Sequence, residues 1–108
     1  MATVDLNKEL FENYINNENK PILVDFWAPW CVYCRRIAPA LNILAEQYKD
    51  VLVFGKVNID EEQGLANEEQ IEVIPTLVIY KDGQALSSIV APESKAQLEA
   101  FIKETLSI

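Results

Sequence analysis

Asp25-Phe26-Trp27-Ala28-Pro29-Trp30-Cys31-Val32-Tyr33-Cys34 runs an apolar strand directly into the only two cysteines of the chain. Two residues separate the thiols. At the start of a helix, that spacing lets a small disulfide ring close and open with little backbone movement, which suits redox exchange. The strand begins upstream, where Lys20-Pro21 breaks the chain and Ile22-Leu23-Val24-Asp25-Phe26-Trp27 follows as a nearly continuous apolar run. A run of this length that is apolar on both faces reads as a central strand covered on both sides.

Working outward, Ile37, Leu41, Leu44 and Tyr48 recur at helical spacing and predict a helix over about 32–49, with Pro39 inside the pattern and expected to kink it. Val51-Leu52-Val53-Phe54-Gly55-Lys56-Val57-Asn58 is a second apolar strand, so strand, helix and strand imply a right-handed parallel crossover. A short helix follows from about Glu61 to Gln70. Thr76–Tyr80 and Leu86–Val90 flank Lys81-Asp82-Gly83-Gln84, whose Asp-Gly pair signals a hairpin and hence two antiparallel strands. At the N-terminal end, Asp5 or Asn7 caps a helix carrying Leu6, Leu10, Phe11, Tyr14 and Ile15 near one face and ending around Asn16-Asn17. Ser94 caps the last helix, whose Leu98, Phe101, Ile102 and Leu106 face inward. There is no repeat, linker or low-complexity segment. The pattern describes a single α/β domain over residues 1–108, a mixed sheet with helices on both faces.

A length of 108 residues suffices to bury a core without staples or metals, and 50% hydrophobic with 24% charged residues is the balance of a soluble globular protein. The net charge of −8 arises from 17 acids against 9 bases with no basic cluster, which argues against nucleic acid or an anionic membrane as partner. Six acids and no base lie between Asp60 and Glu72, either an acidic docking face or, more simply, a solvated helix and loop. The start Met1-Ala2-Thr3-Val4-Asp5 has neither a basic segment nor an apolar run, and no stretch reaches membrane-spanning length, so the expected compartment is the cytoplasm. Two thiols in a reducing compartment are catalytic or metal-binding rather than a structural staple.

If the helix begins at the first cysteine, unpaired backbone amides and the helix dipole favour negative charge on Cys31 and lower its pKa. Cys34, one turn further in beside apolar positions, is expected to be less exposed and to serve as the resolving thiol. Cys31 thiolate then attacks a partner's disulfide, and Cys34 resolves the mixed disulfide. A zinc site would need four ligands, and two cysteines without histidine supply them only in a metal-sharing dimer, so no metal is expected. An inert core pair is the remaining alternative.

Asp25 interrupts an apolar strand. A carboxylate buried there has a raised pKa and is suited to exchange a proton with Cys34. Lys56 interrupts the neighbouring strand and, beside Asp25, would hold that pKa down. The alternative has both side chains reaching solvent at strand ends. Pro75 precedes a strand; a cis Ile74-Pro75 bond would free the Ile74 backbone to pair with an extended partner, although the residues alone do not favour cis over trans.

These stretches, taken together, resemble the thioredoxin family. The likeness runs nearly end to end: Val-Asp-Phe-Trp-Ala at 24–28, Trp-Cys-x-x-Cys at 30–34, a basic residue and Ala-Pro in the following helix, Lys-x-Asn-Ile-Asp at 56–60, Ile-Pro-Thr at 74–76 and Lys-Asp-Gly at 81–83. The resemblance implies a five-stranded mixed sheet flanked by four helices, a cis Pro75 facing the dithiol, and reduction of protein disulfides. It makes Cys31 the nucleophile, Cys34 the resolver, Asp25 the buried acid and Lys56 its partner, with Trp30, Ile74 and Pro75 lining the docking surface. Electrons would come from a separate thioredoxin reductase, NADPH- or ferredoxin-dependent, and the domain, expected to be a monomer, would bind no cofactor itself. Two departures stand out: Val32-Tyr33 where the family usually has Gly-Pro, and Ala91 where it usually has glycine. Val32, Tyr33, Val73, Ile74 and Ala91 are therefore expected to form an apolar surface suited to selected partners. A disulfide isomerase or oxidant on the same fold, or a thioredoxin-like binding module, is the alternative.

Overall fold

In the computed structural model, which describes residues 2–108, five strands and four helices occur in the order β1 (Thr3–Asp5), α1 (Lys8–Asn17), β2 (Ile22–Trp27), α2 (Val32–Gln47), β3 (Val53–Asn58), α3 (Gln63–Glu68), β4 (Thr76–Lys81), β5 (Gln84–Val90) and α4 (Lys95–Leu106). They form one mixed sheet in the order β1-β3-β2-β4-β5. The first three of these run parallel, while β4 is antiparallel to β2 and β5 to β4. This is the five-stranded, four-helix arrangement of the thioredoxin fold that the resemblance implied.

Side chains alternate across β2, and both of its faces are covered. Ile22, Val24 and Phe26 pack with Phe11 of α1, Val57 of β3 and Leu65 of α3. Leu23, on the opposite face, packs with Leu41 and Leu44 of α2 and with Leu98 and Ile102 of α4. Asp25 shares the parity of Leu23, so the one acid in the strand is delivered to the face that α2 covers. α2 is continuous through Pro39, which is exposed on the outer side.

Several boundaries differ from those predicted. β1 is a three-residue strand with no apolar alternation of its own; its partner β3 supplies the pairing. Asn7, not Asp5, caps α1: its side chain accepts the Leu10 amide at 2.8 Å, while Asp5 belongs to β1 and Leu6 is buried ahead of the helix. α2 stops at Gln47, and the amides of Val51 and Leu52 both bond to the Tyr48 carbonyl, so β3 starts at Val53 rather than Val51. α3 is shorter than expected because Glu61 and Glu62 donate to the Asn58 carbonyl in a turn, and Gln70 takes a left-handed conformation. The hairpin turn is tighter than expected. Only Asp82 and Gly83 separate β4 from β5, both at positive φ, the geometry that Asp-Gly favours.

No helix among the described residues is long and apolar enough to cross a membrane.

Candidate active site

β2 ends at Trp27, and Ala28-Pro29-Trp30 turns the chain so that Cys31 becomes the N-cap of α2, its amide donating to the Ala28 carbonyl at 3.1 Å. Cys31 Sγ in turn accepts the Cys34 amide at 3.1 Å, occupying the place where a capping oxygen usually sits. The sulfur thus stands at the positive end of a long helix and takes one of its first-turn amides. Cys31 and Cys34 are joined as a disulfide, with Cα atoms 5.2 Å apart. Cys34 is the more deeply buried, at 3% exposure against 7% for Cys31. The two sulfurs pack with Ala28, Trp27, Ile59 and Ile74.

Two loops close over the pair. The Ile74–Pro75 bond is cis, and Cys31 Sγ lies 3.9 Å from the Ile74 carbonyl oxygen. The Thr76 hydroxyl donates to the Val73 carbonyl, and the Pro75 carbonyl accepts the Ala91 amide at 2.8 Å, which ties the second loop to the first. Ala91 has φ +45°, a left-handed conformation that its methyl group disfavours and a glycine would not.

Asp25 is buried at 1% exposure and one of its carboxyl oxygens, Oδ1, has no hydrogen-bond partner. Burial pushes its pKa up to about 7, with the positive charge of Lys56 opposing but not cancelling that rise. Lys56 stands in register with Asp25 across the β2–β3 ladder, yet its ammonium sits 4.3 Å from the centroid of the Trp27 ring rather than in an ion pair with the acid. Desolvation therefore wins over the charge pair. The Trp27 indole N–H is likewise buried without a partner.

Around the dithiol, Trp30, Val32, Tyr33 and Val73 are all exposed, Ile74 is half-buried and Pro75 is buried. The structure brings Ile74 and Trp27 against the cysteines, while Asp25 is buried on the face of β2 that α2 covers and Lys56 stands over the Trp27 ring. Sequence reasoning did not single out Asp60, which holds the Trp30 ring by accepting its indole N–H at 3.0 Å. Its signs were its position at the head of the acidic run and at the end of the Lys-x-Asn-Ile-Asp motif, neither of which points to Trp30. The two arginines after Cys34 entered only as a basic residue of the family pattern, and their roles were also missed. Arg35 donates to the Pro29 carbonyl at 2.7 Å and braces the turn into Cys31, and Arg36 stacks over the Tyr33 ring at 5.3 Å. Tyr33, Arg36, Ile37, Ala91, Pro92 and Glu93 line a groove of about 450 Å³ beside the disulfide. Among the described residues no cluster of three or more His, Cys, Asp or Glu side chains is arranged to hold a metal ion.

The chain matches the thioredoxin family profile over residues 2–104. It is 41% identical over 105 residues to a thioredoxin of Acidithiobacillus ferridurans, covering 97% of each chain. Against thioredoxin 1 of Synechococcus elongatus the identity is 43% over 88 residues, 82% of each chain. A chloroplastic M-type thioredoxin of Chlamydomonas reinhardtii is 38% identical over 102 residues, 94% of this chain and 73% of that protein.

Proposed function

The chain belongs to the thioredoxin family, and from that premise we propose that it reduces protein disulfides through Cys31 and Cys34, with Cys31 as nucleophile and Cys34 as resolving thiol. The activity is that of a thiol-disulfide oxidoreductase. The asymmetry of roles rests on one observation: Cys31 Sγ caps α2 and accepts the Cys34 amide, while Cys34 lies deeper.

In the reduced protein, the helix-start amides favour the Cys31 thiolate. Its sulfur attacks one sulfur of a partner's disulfide; the S–S bond breaks, the partner's second sulfur leaves as thiolate and takes up a proton. Cys34 then loses its proton and attacks Cys31 Sγ, forming the intramolecular disulfide and releasing the partner's first thiolate, which is protonated in turn. Two electrons pass to the partner. Asp25, with a pKa near neutral, is the group suited to accept the Cys34 proton as that thiol attacks, and Lys56 tempers its basicity. Trp30, Val32, Tyr33, Val73, Ile74, Pro75 and Ala91 form the surface on which the partner docks.

In this reading the chain binds no cofactor. A separate thioredoxin reductase, NADPH- or ferredoxin-dependent, returns the electrons, and the chain works as a cytoplasmic monomer on disulfide-containing proteins. Cys34→Ser is expected to accumulate mixed disulfides with a protein substrate that Cys31→Ser does not form; recovery of none would sink the two-cysteine mechanism. Equilibration of the Cys31–Cys34 couple in thiol buffers, followed by tryptophan fluorescence, separates reductase from isomerase. A midpoint near roughly −270 mV fits a reductase and one near roughly −180 mV an isomerase.

A further inference from the structure

We infer that the groove beside the dithiol is a specificity subsite for a disulfide whose attacked cysteine is flanked by an aspartate or glutamate, with Arg36 as the residue that receives the carboxylate. The inference deepens the reductase reading and rests on it. Tyr33 lies between the two cysteines, so the groove starts one residue from the sulfurs. Arg36 follows three residues later on α2, where side chains meet, and its guanidinium is parked over the Tyr33 ring at 5.3 Å.

That guanidinium is unspent. Among the described residues Arg36 takes part in no hydrogen bond or ion pair, whereas Lys8, Lys49, Lys81 and Lys95 each have a carboxylate beside them. A planar fork of five N–H donors matches a carboxylate bidentately, and stacking has already removed much of its rotamer freedom. The opposite wall bears Glu93, whose backbone amide donates to Gln97 Oε1 at 2.6 Å and whose carboxylate does not pair with Arg36. Its charge opposes an incoming acid and moderates the preference. Over the whole molecule the net charge of −8 also repels acidic partners, but that field is screened within a Debye length of about 8 Å, and inside the groove the adjacent cation prevails. The selection therefore falls on an acid placed next to the cystine, not on acidic proteins in general.

Single-turnover reduction of three otherwise identical cystine peptides, with Glu, Gln or Lys beside the cysteine, tests this. Each rate is divided by that peptide's rate with dithiothreitol, which removes the effect of the flanking charge on the peptide's own thiols. At about 0.15 M salt the Glu peptide is expected to react about fivefold faster than the Lys peptide, with Gln between them. Arg36→Gln should level or invert the ranking, Arg36→Lys keep part of it, Glu93→Gln widen it, and about 0.5 M salt narrow it. Equal normalised rates for the three peptides with the parent protein, or a preference for the Glu peptide that survives Arg36→Gln, would overturn the subsite. Uncharged 2-hydroxyethyl disulfide reports the dithiol alone. If it is reduced while the peptides are not ranked, the subsite fails and the reductase stands; if it is not reduced, the reductase reading fails and takes the subsite with it.

Discussion

Asp25 couples stability to pH in the direction opposite to that of most surface carboxylates. Its folded pKa of about 7 lies above the ordinary 3.8, so the folded chain holds a proton that the unfolded chain has already lost. Below pH 4 both states are protonated and the residue is neutral to the balance. As pH rises from about 4 to about 7, stability falls, and it levels off above, by at most roughly 4 kcal/mol. Asp25→Asn is therefore expected to be a few kcal/mol more stable than the parent at pH 8 in urea melts, with the difference shrinking towards zero at pH 4; a gain independent of pH would mean that packing, not ionisation, is responsible. With both cysteines present, the same substitution should slow resolution of the mixed disulfide by Cys34 near pH 7, read as a lower single-turnover rate of substrate release. Ala91 carries a second residue-level cost. At φ +45°, Ala91→Gly relieves about 1–2 kcal/mol of backbone strain and gives back about 0.5–1 through a freer unfolded chain, for a net stabilisation of about 0.5–1 kcal/mol by denaturant midpoint. A lower midpoint would show that the methyl's contacts outweigh the strain. Ala91 was legible as a departure from the family pattern, but its left-handed backbone was not, because φ depends on the bond from the Ala91 amide to the Pro75 carbonyl, 16 residues away in the chain.

At the scale of elements, the strongest apolar periodicities were legible and the weakest were not. β2 and α2 could be read because burial on two faces and a 3.6-residue stripe leave repeated traces in composition. β1 left none: three residues pair with β3 through backbone groups that carry no side-chain signature. The boundaries of α3 slipped for a similar reason, since the turn at Asn58 is written in carbonyl bonds. Asn7 against Asp5 was a choice between two good capping residues, settled by which one the β1 ladder claimed. That assignment is open to test: Asn7→Ala should cost about 1 kcal/mol of stability, and Asp5→Ala considerably less. Equal losses would mean that the Asn7 side chain contributes little beyond the solvated edge it stands on.

For the molecule as a whole, the six acids from Asp60 to Glu72 were read most simply as a solvated surface, and the structure gives several of them local work. Asp60 holds Trp30, Glu69 accepts the Tyr80 hydroxyl at 2.7 Å, Glu62 accepts the Lys8 amide at 3.1 Å, and Glu68 pairs with the Lys8 ammonium at 2.9 Å. None of this could be seen in a charge count, because the partners lie up to 60 residues away. The surplus of eight negative charges nevertheless remains. Salt acts on two opposing contributions at once: it weakens ion pairs such as Lys8–Glu68 and Lys49–Glu46, which are exposed and individually weak, and it relieves the mutual repulsion of the unpaired acids. With 17 acids against 9 bases the repulsion is the larger contribution, so about 0.3 M sodium chloride is expected to raise the thermal midpoint at pH 7, and to raise it less at pH 4, where many of the carboxylates are protonated. A midpoint that falls with salt at pH 7 would mean that the ion pairs outweigh the repulsion and that the acidic face is held together rather than strained by its charge.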